Sequence, residues 1–227
     1  MSRAAPLWAA ATTGVQVGAA MVATRYAVDA AGPASLGFWR YLIGLMCLLP
    51  VVLLRPWRHI APRDLLPIGL LGVGQFAILI VLLNYSLLHI PAARASLLFA
   101  TFPLMTMLLS AALGRERFTP AKVGGSLLTF AGVAVALGGA ALGSEAGQGS
   151  AWLGTLAALG AAFCGAACSI SYAPYVARYS SLHVTSVAML AAVIVLAVMA
   201  IPEGLFAGLP AFTWGEGAAI VFKIGRA

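Results

Sequence analysis

Residues 65–85 read LLPIGLLGVGQFAILIVLLNY, a stretch of 21 residues without one charge. Its length is the deciding feature, because a helix needs about 20 mostly apolar residues to cross a bilayer. In lipid no water is present to satisfy backbone N–H and C=O groups, so a spanning segment is a helix or part of a closed barrel. Barrel strands are short and alternate in polarity. The 65–85 run does neither, so it reads as a helix. Similar runs cover 6–27, 34–54, 92–113, 120–142, 151–173 and 182–201, and an eighth begins near Phe212. The expected fold is therefore an all-α, polytopic membrane protein.

Composition agrees. The chain is 62% hydrophobic and 8% charged, with a mean hydropathy of +1.01. Soluble domains carry roughly 25% charged residues, and a soluble fold of this length needs a polar surface that these residues do not supply. The formal net charge of +7 does not indicate nucleic acid. A nucleic-acid binder gathers its cations on one face, whereas here they sit singly or in small groups between apolar runs. With the N-terminus in the cytoplasm, the inner segments hold Arg3, Arg55, Arg58, Arg63, Arg115, Arg117, Lys122 and Arg178. The outer side holds Arg25, Arg40 and Arg94 beside Asp29, Glu145, Glu203 and Glu216. That bias predicts an N-in orientation.

Helix-start chemistry marks the breaks. Thr119-Pro120 reads as an N-cap followed by proline in the first helical position, and Gly32-Pro33 and Ile90-Pro91 punctuate two further starts. The linker 143–150 is rich in Gly, Ser and Gln. It separates a five-helix block, 1–142, from a shorter one, 151–227. Sliding the sequence by 147 residues places Gly18-Ala19-Ala20 on Gly165-Ala166-Ala167. An odd number of helices per copy inverts the second copy, giving inverted five-helix repeats, the first complete and the second incomplete. In this alignment Phe212–Arg226 falls on Leu65–Leu79. Counterparts of the fourth and fifth helices are then missing, and the C-terminus reads as a truncation or a frameshifted end.

The stretch Leu83-Asn84-Tyr85-Ser86-Leu87-Leu88-His89-Ile90-Pro91-Ala92-Ala93-Arg94-Ala95-Ser96-Leu97-Leu98 resembles the EamA-type transporters of the drug/metabolite transporter superfamily. The likeness continues through Phe102-Pro103-Leu104, Gly114-Arg115-Glu116-Arg117-Phe118-Thr119, Gly124-Gly125 and Ala131-Gly132-Val133-Ala134. Phe38-Trp39-Arg40 also looks like this family. The resemblance implies ten helices in two five-helix repeats and movement of small metabolites across the membrane, commonly outward.

Polar groups at membrane depth are functional candidates by default. Arg25, Arg40 and Arg94 fall in the outer parts of their helices. They read either as structural anchors or as a vestibule for anions, to which Arg's planar fork is suited. Gln16, Gln75 and Asn84 are amides within helices, available to a substrate or to a neighbouring helix. Pro103 is expected to kink the fourth span, as a packing bend or as a gate. Trp39 lies beside Arg40 at a span boundary, where an aromatic belt belongs. Gly14 with Gly18, and Gly125, Gly132 and Gly139, carry small-residue spacings that suit packing on a neighbouring helix or a second protomer, so a homo-oligomer is an open expectation.

No catalytic constellation or metal set is legible. Cys47, Cys164 and Cys168 lie inside apolar runs with no His, Asp or Glu beside Cys164 and Cys168. His59, His89 and His183 fall on different connections, and no cofactor is expected. The high Arg content (11 Arg against 2 Lys) suggests a GC-rich bacterial genome, hence a bacterial inner (cell) membrane. The expected function is export of small metabolites by alternating access between the repeats, with lipid and a small-molecule substrate as partners. The alternative is a truncated membrane fragment that inserts and carries nothing.

Overall fold

Prolines start three of the helices. The computed structural model describes residues 19–29, 31–54, 60–115, 119–120, 123–128, 130–132, 135 and 151–204, all helix or short connection. Helix α1 covers residues 19–29. Helix α2 is Pro33–Leu53 and α3 is Pro62–His89. Helix α4 is Ala92–Ala112, interrupted once, and α5 is described over residues 123–128. Helix α6 is Ala151–Arg178 and α7 is Ser181–Met199. Pro33 and Pro62 open α2 and α3 at positions whose N–H a helix does not use. Pro91, with Ile90 held extended before it, turns the chain from α3 into α4. The Val123 N–H donates to the Thr119 carbonyl at 3.1 Å, as expected for an N-cap at Thr119.

Helices α2, α3, α4, α6 and α7 are each long and apolar enough to cross a membrane. They coincide with the second, third, fourth, sixth and seventh apolar runs. The first and fifth runs are described only in part, and the run near Phe212 lies outside the described residues. Helix α3 extends past the expected 65–85 run at both ends, and α6 past the expected 151–173 run at its end. Helix α6 passes through Pro174 to Arg178 instead of stopping at Ala173, and the Ile170 carbonyl that the proline leaves without its backbone donor accepts from Arg115, just after α4. Helix α4 is broken as Pro103 required: Ala92–Phe99 and Phe102–Ala112 are separate segments, joined through Ala100 and Thr101.

Helix α3 is the centre of the bundle, with α6 against one side and α7 against another. Three apolar clusters stack along it. At the end holding the α3–α4 turn, Val28, Leu87, Ile90, Ala95 and Ala158 meet. At mid-length, Tyr41, Leu45, Ala77, Ile80, Leu83, Ala161, Met189, Ala192 and Leu196 form the largest cluster. At the opposite end, Ile60, Ile68, Val184 and Ala188 pack with Tyr172, Tyr175 and Tyr179. The pairs α2–α3, α3–α4 and α6–α7 are thus antiparallel, while α3 and α7, like α4 and α6, pack in parallel. The starts of α2, α4 and α6 and the end of α7 share one end, and the α2–α3 and α6–α7 connections share the other.

Close approach depends on small residues, as helix association in lipid requires. On α6, Gly154, Ala157, Ala158, Ala161, Ala162, Gly165 and Ala166 are buried. An added Cβ on Gly165 would lie 2.5 Å from Leu79 Cδ1 and 2.7 Å from Phe102 Cε2. Gly132, whose spacing also suggested packing, faces open space. Gly14, Gly18 and Gly139 lie outside the described residues. Large apolar side chains such as Leu53, Leu66 and Leu128 point outward, 77%, 71% and 75% exposed, as lipid-facing groups do.

Candidate functional site

Midway along α3 the helix widens to π geometry over Val73–Ile78. Such single-turn bulges are rare and frequent at functional sites. Two glycines allow it. Gly72 lies against the backbone of Ala188 on α7, and a Cβ on Gly74 would stand 2.5 Å from Cys168 Sγ on α6. The Leu79 N–H donates to the Gly74 carbonyl, which also accepts from the Cys164 thiol at 3.4 Å. Cys164 and Cys168 therefore pack as small apolar groups with free thiols, and Cys47 faces outward.

Gln75 sits on this widened turn, half-buried. Its Oε1 is shielded from solvent and has no hydrogen-bond partner among the described residues. A buried amide oxygen left without a donor costs about 1–3 kcal/mol, so its retention at mid-depth calls for an explanation.

The remaining polar candidates gather at one end of the bundle. Asn84 Nδ2 donates to the Pro33 carbonyl at 2.8 Å, tying α3 to the start of α2. The Glu203 carboxylate, just beyond α7, accepts from the Ala34 N–H at 3.0 Å and the Ser35 N–H at 2.7 Å. Gly32 makes room for it with a φ of +80°. Arg25 is paired with Asp29 at 2.6 Å, the Arg25 side chain partly and the Asp29 side chain largely exposed. Arg40, half-buried, lies with its guanidinium 5.4 Å from the Tyr41 ring, within cation–π range. Trp39 is half-buried beside Phe38. Arg94 is half-buried in the first turn of α4. Among the described residues, Arg40 and Arg94 form no ion pair. Pro103 is exposed just past the α4 break, and the neighbouring Phe102 stacks on Phe99 at 5.7 Å. Gln16 lies outside the described residues.

Sequence reading passed over three groups that the fold makes structural. Glu203 is one; its clue was that α2 begins at Gly32 with no Ser, Thr, Asp or Asn to cap it. Asp64 is the second. Buried in the first turn of α3, it accepts from Tyr179 Oη at 2.5 Å, with Arg178 Nη1 at 3.4 Å. The third is Arg115, whose Nη1 donates to the Ile170 carbonyl at 2.7 Å. The Asp64 contact is testable. Tyr179→Phe is expected to cost about 1–2 kcal/mol, since it removes a donor from a buried carboxylate. Arg178→Ala is expected to cost less than about 0.5 kcal/mol, because the Arg178 side chain is 60% exposed. Thermal unfolding of both variants in detergent would reverse this ranking if the ion pair were the dominant contact.

Comparison with known proteins adds to this geometry. A probable terminal-alkyne amino-acid exporter from Streptantibioticus cattleyicolor is 35% identical over 133 residues, 57% of this chain and 43% of that relative. The uncharacterized transporter YdfC of Bacillus subtilis is 34% identical over 127 residues, 56% of this chain and 39% of the relative. The chain thus spans less than half the length of these curated relatives. A solved crystal structure superposes with a TM-score of 0.67 at 26% identity, covering 92% of this chain and 74% of the other. The profile of the EamA-like transporter family matches residues 5–138. With several apolar helices of spanning length around a central α3, the chain is a multi-pass membrane protein and belongs to the EamA-like transporter family.

Proposed function

We propose that this chain carries small amino-acid-like metabolites outward across a bacterial cell membrane, as a carrier and not an enzyme. The observation that carries this reading is the shielded Oε1 of Gln75, without a partner among the described residues, on the π-helical turn of α3 between α6 and α7. An acceptor kept without a donor is suited to a ligand that brings one, such as an ammonium or amide N–H. Arg40 and Arg94, without an ion pair among the described residues, suit the carboxylate of the same ligand class. The name of the Streptantibioticus relative supports an amino acid as the cargo. In this reading Trp39, Asn84, Pro103 and Arg25 line or shape the same path, and Gln16, outside the described residues, is a further candidate for it. The blocks 1–142 and 151–227, joined by 143–150, rock against each other about that path as inverted repeats. The cation bias supports an N-terminus in the cytoplasm. Lipid surrounds the bundle, no nucleic acid takes part, and a homo-oligomer is compatible with the arrangement.

The test is flux from vesicles containing the purified chain and loaded with labelled neutral amino acids. Gln75→Leu is expected to lower flux about tenfold, the equivalent of one lost hydrogen bond of about 1.4 kcal/mol. Arg40→Ala is expected to raise the half-saturating concentration, with an effect that shrinks as salt rises. Unchanged flux in both variants, from well-folded protein, would overturn the assignment of the path.

A further inference from the structure

The hydrogen bond from Arg115 to α6 has a specific cause. The Ile170 carbonyl lies eight residues before the end of α6, about 12 Å in from it. In an unbroken helix it would accept from the N–H of residue 174, but residue 174 is proline and has none. The proline ring also presses on that same carbonyl. Lipid offers no substitute donor. Arg115 supplies one from the bend after α4, where Gly114 turns the chain with a φ of +67°. Among the described residues, Arg115 is the one cation that donates to a helix carbonyl; Arg25 and Arg178 meet carboxylates instead.

The short arm of α6 beyond Pro174 is fastened a second time at its tip. Tyr179 Oη donates to Asp64 of α3, and Tyr175 and Tyr179 pack on Ile60, Ile68, Val184 and Ala188. Pro174 itself and Ala177 are exposed. A helix with a missing internal bond, held at the break by the bend after α4 and at the tip by α3, has one place to bend.

We propose that Pro174 is a hinge in α6 and that Arg115 is the positioning residue holding it in its closed setting. The arm 175–179 is the part that swings away from α3 to open this end of the bundle. Its use as a transport gate rests on the carrier reading above; the hinge and its tie do not. Because Arg115 replaces a backbone donor that the proline removed, returning that donor must make Arg115 dispensable.

The experiment is a double-mutant cycle on the full chain in nanodiscs, with Arg115→Ala, Arg115→Lys, Pro174→Ala and the Arg115→Ala, Pro174→Ala pair. Spin labels at Ala177→Cys and Leu66→Cys, with the three native cysteines changed to serine, report the arm-to-α3 distance. Thermal unfolding is read in parallel. Arg115→Ala is expected to add a longer-distance population and to lower Tm by roughly 5 °C. Arg115→Lys, which keeps a charged donor, retains most of the closed population. In the Pro174→Ala background, Arg115→Ala is expected to change neither reading. Equal effects of Arg115→Ala in both backgrounds, or an unchanged distance with proline present, would overturn the hinge. Coupling in a preparation that shows no flux would uphold the hinge and remove only its role as a gate.

Discussion

Gly72→Val is expected to separate α3 from α7 and to be the most damaging single change in the described core. A Cβ built on Gly72 would stand 2.4 Å from Ala188 Cα, 2.5 Å from Ala188 O and 2.6 Å from Ala188 Cβ. Two of those three atoms are backbone, so no side-chain rotation relieves the clash. Ala188 is fully buried beside Ile68 and Val184, and close-packed interiors shift as units. Overpacking in such a place costs about 1–3 kcal/mol and occasionally more; with backbone as the obstacle, the upper end applies. Gly72→Ala is expected to fall short of Gly72→Val only in degree. Gly69 is the internal control, one turn away on the same helix. Its added Cβ would lie 3.6 Å from Ala191 Cβ, an ordinary contact. Gly69→Ala is therefore expected to be neutral or to gain up to about 1 kcal/mol from the loss of glycine's backbone freedom. Unfolding of both variants in detergent reads the contrast; equal stabilities would mean that the α3–α7 contact is looser than described.

Removing the Glu203 carboxylate is expected to loosen the opposite end of the bundle. The first N–H groups of a helix have no internal acceptors, and the N-terminus carries the positive end of the helix dipole. Helix α2 begins at Gly32, which has no side chain to serve as a cap, and Glu203 takes that role from across the bundle. Two charge-assisted bonds would be worth roughly 3–6 kcal/mol if fully shielded. Glu203 is solvent-exposed, so about 2 kcal/mol is expected for Glu203→Ala, discounting for water. Glu203→Gln keeps one acceptor without the charge and is expected to lose about half of that. Gly32→Ala should resemble Glu203→Ala, because its Cβ would stand 2.5 Å from Glu203 Oε2 at a φ unfavourable for any L side chain. In the Glu203→Ala background, Gly32→Ala should lose the part of its effect that comes from displacing the carboxylate. Hydrogen exchange at Ala34 and Ser35 measures this directly, and unchanged protection in Glu203→Ala would contradict the cap.

How much of this was legible depends on the range of each interaction. Membership of residues 65–85 in a spanning helix follows from local hydropathy, since lipid demands an apolar surface and an internally bonded backbone along the whole run. The starts marked by Pro33 and Pro120 and the bend at Pro103 were equally local, because proline acts on its own turn and the one before it, whereas the start of α3 at Pro62, three residues before the apolar run, was not read from the sequence. The family resemblance around Leu83–Leu98 rested on the same contiguous residues. The candidate path was legible only as residue types. Gln75 stood out as an amide in an apolar run, but the π turn beneath it and its lack of a donor depend on α6 and α7.

The sequence alone determined that this protein is a bundle of membrane-spanning helices and where most of them begin. Tertiary structure alone decided which glycines are contacts: Gly72 and Gly165 meet neighbours, while Gly132, in equally apolar surroundings, meets open space. It also decided that the Ile170 carbonyl, deprived of its donor by Pro174, accepts from Arg115, 55 positions before Ile170. That α2 is capped at all rests on Glu203, 168 and 169 positions from the N–H groups it accepts. The physical reason is common to all three. In a membrane both lipid-facing and buried positions are apolar, so hydropathy marks the span but not the side that packs. The few polar groups that distinguish those sides are satisfied by partners that only the folded chain brings within reach.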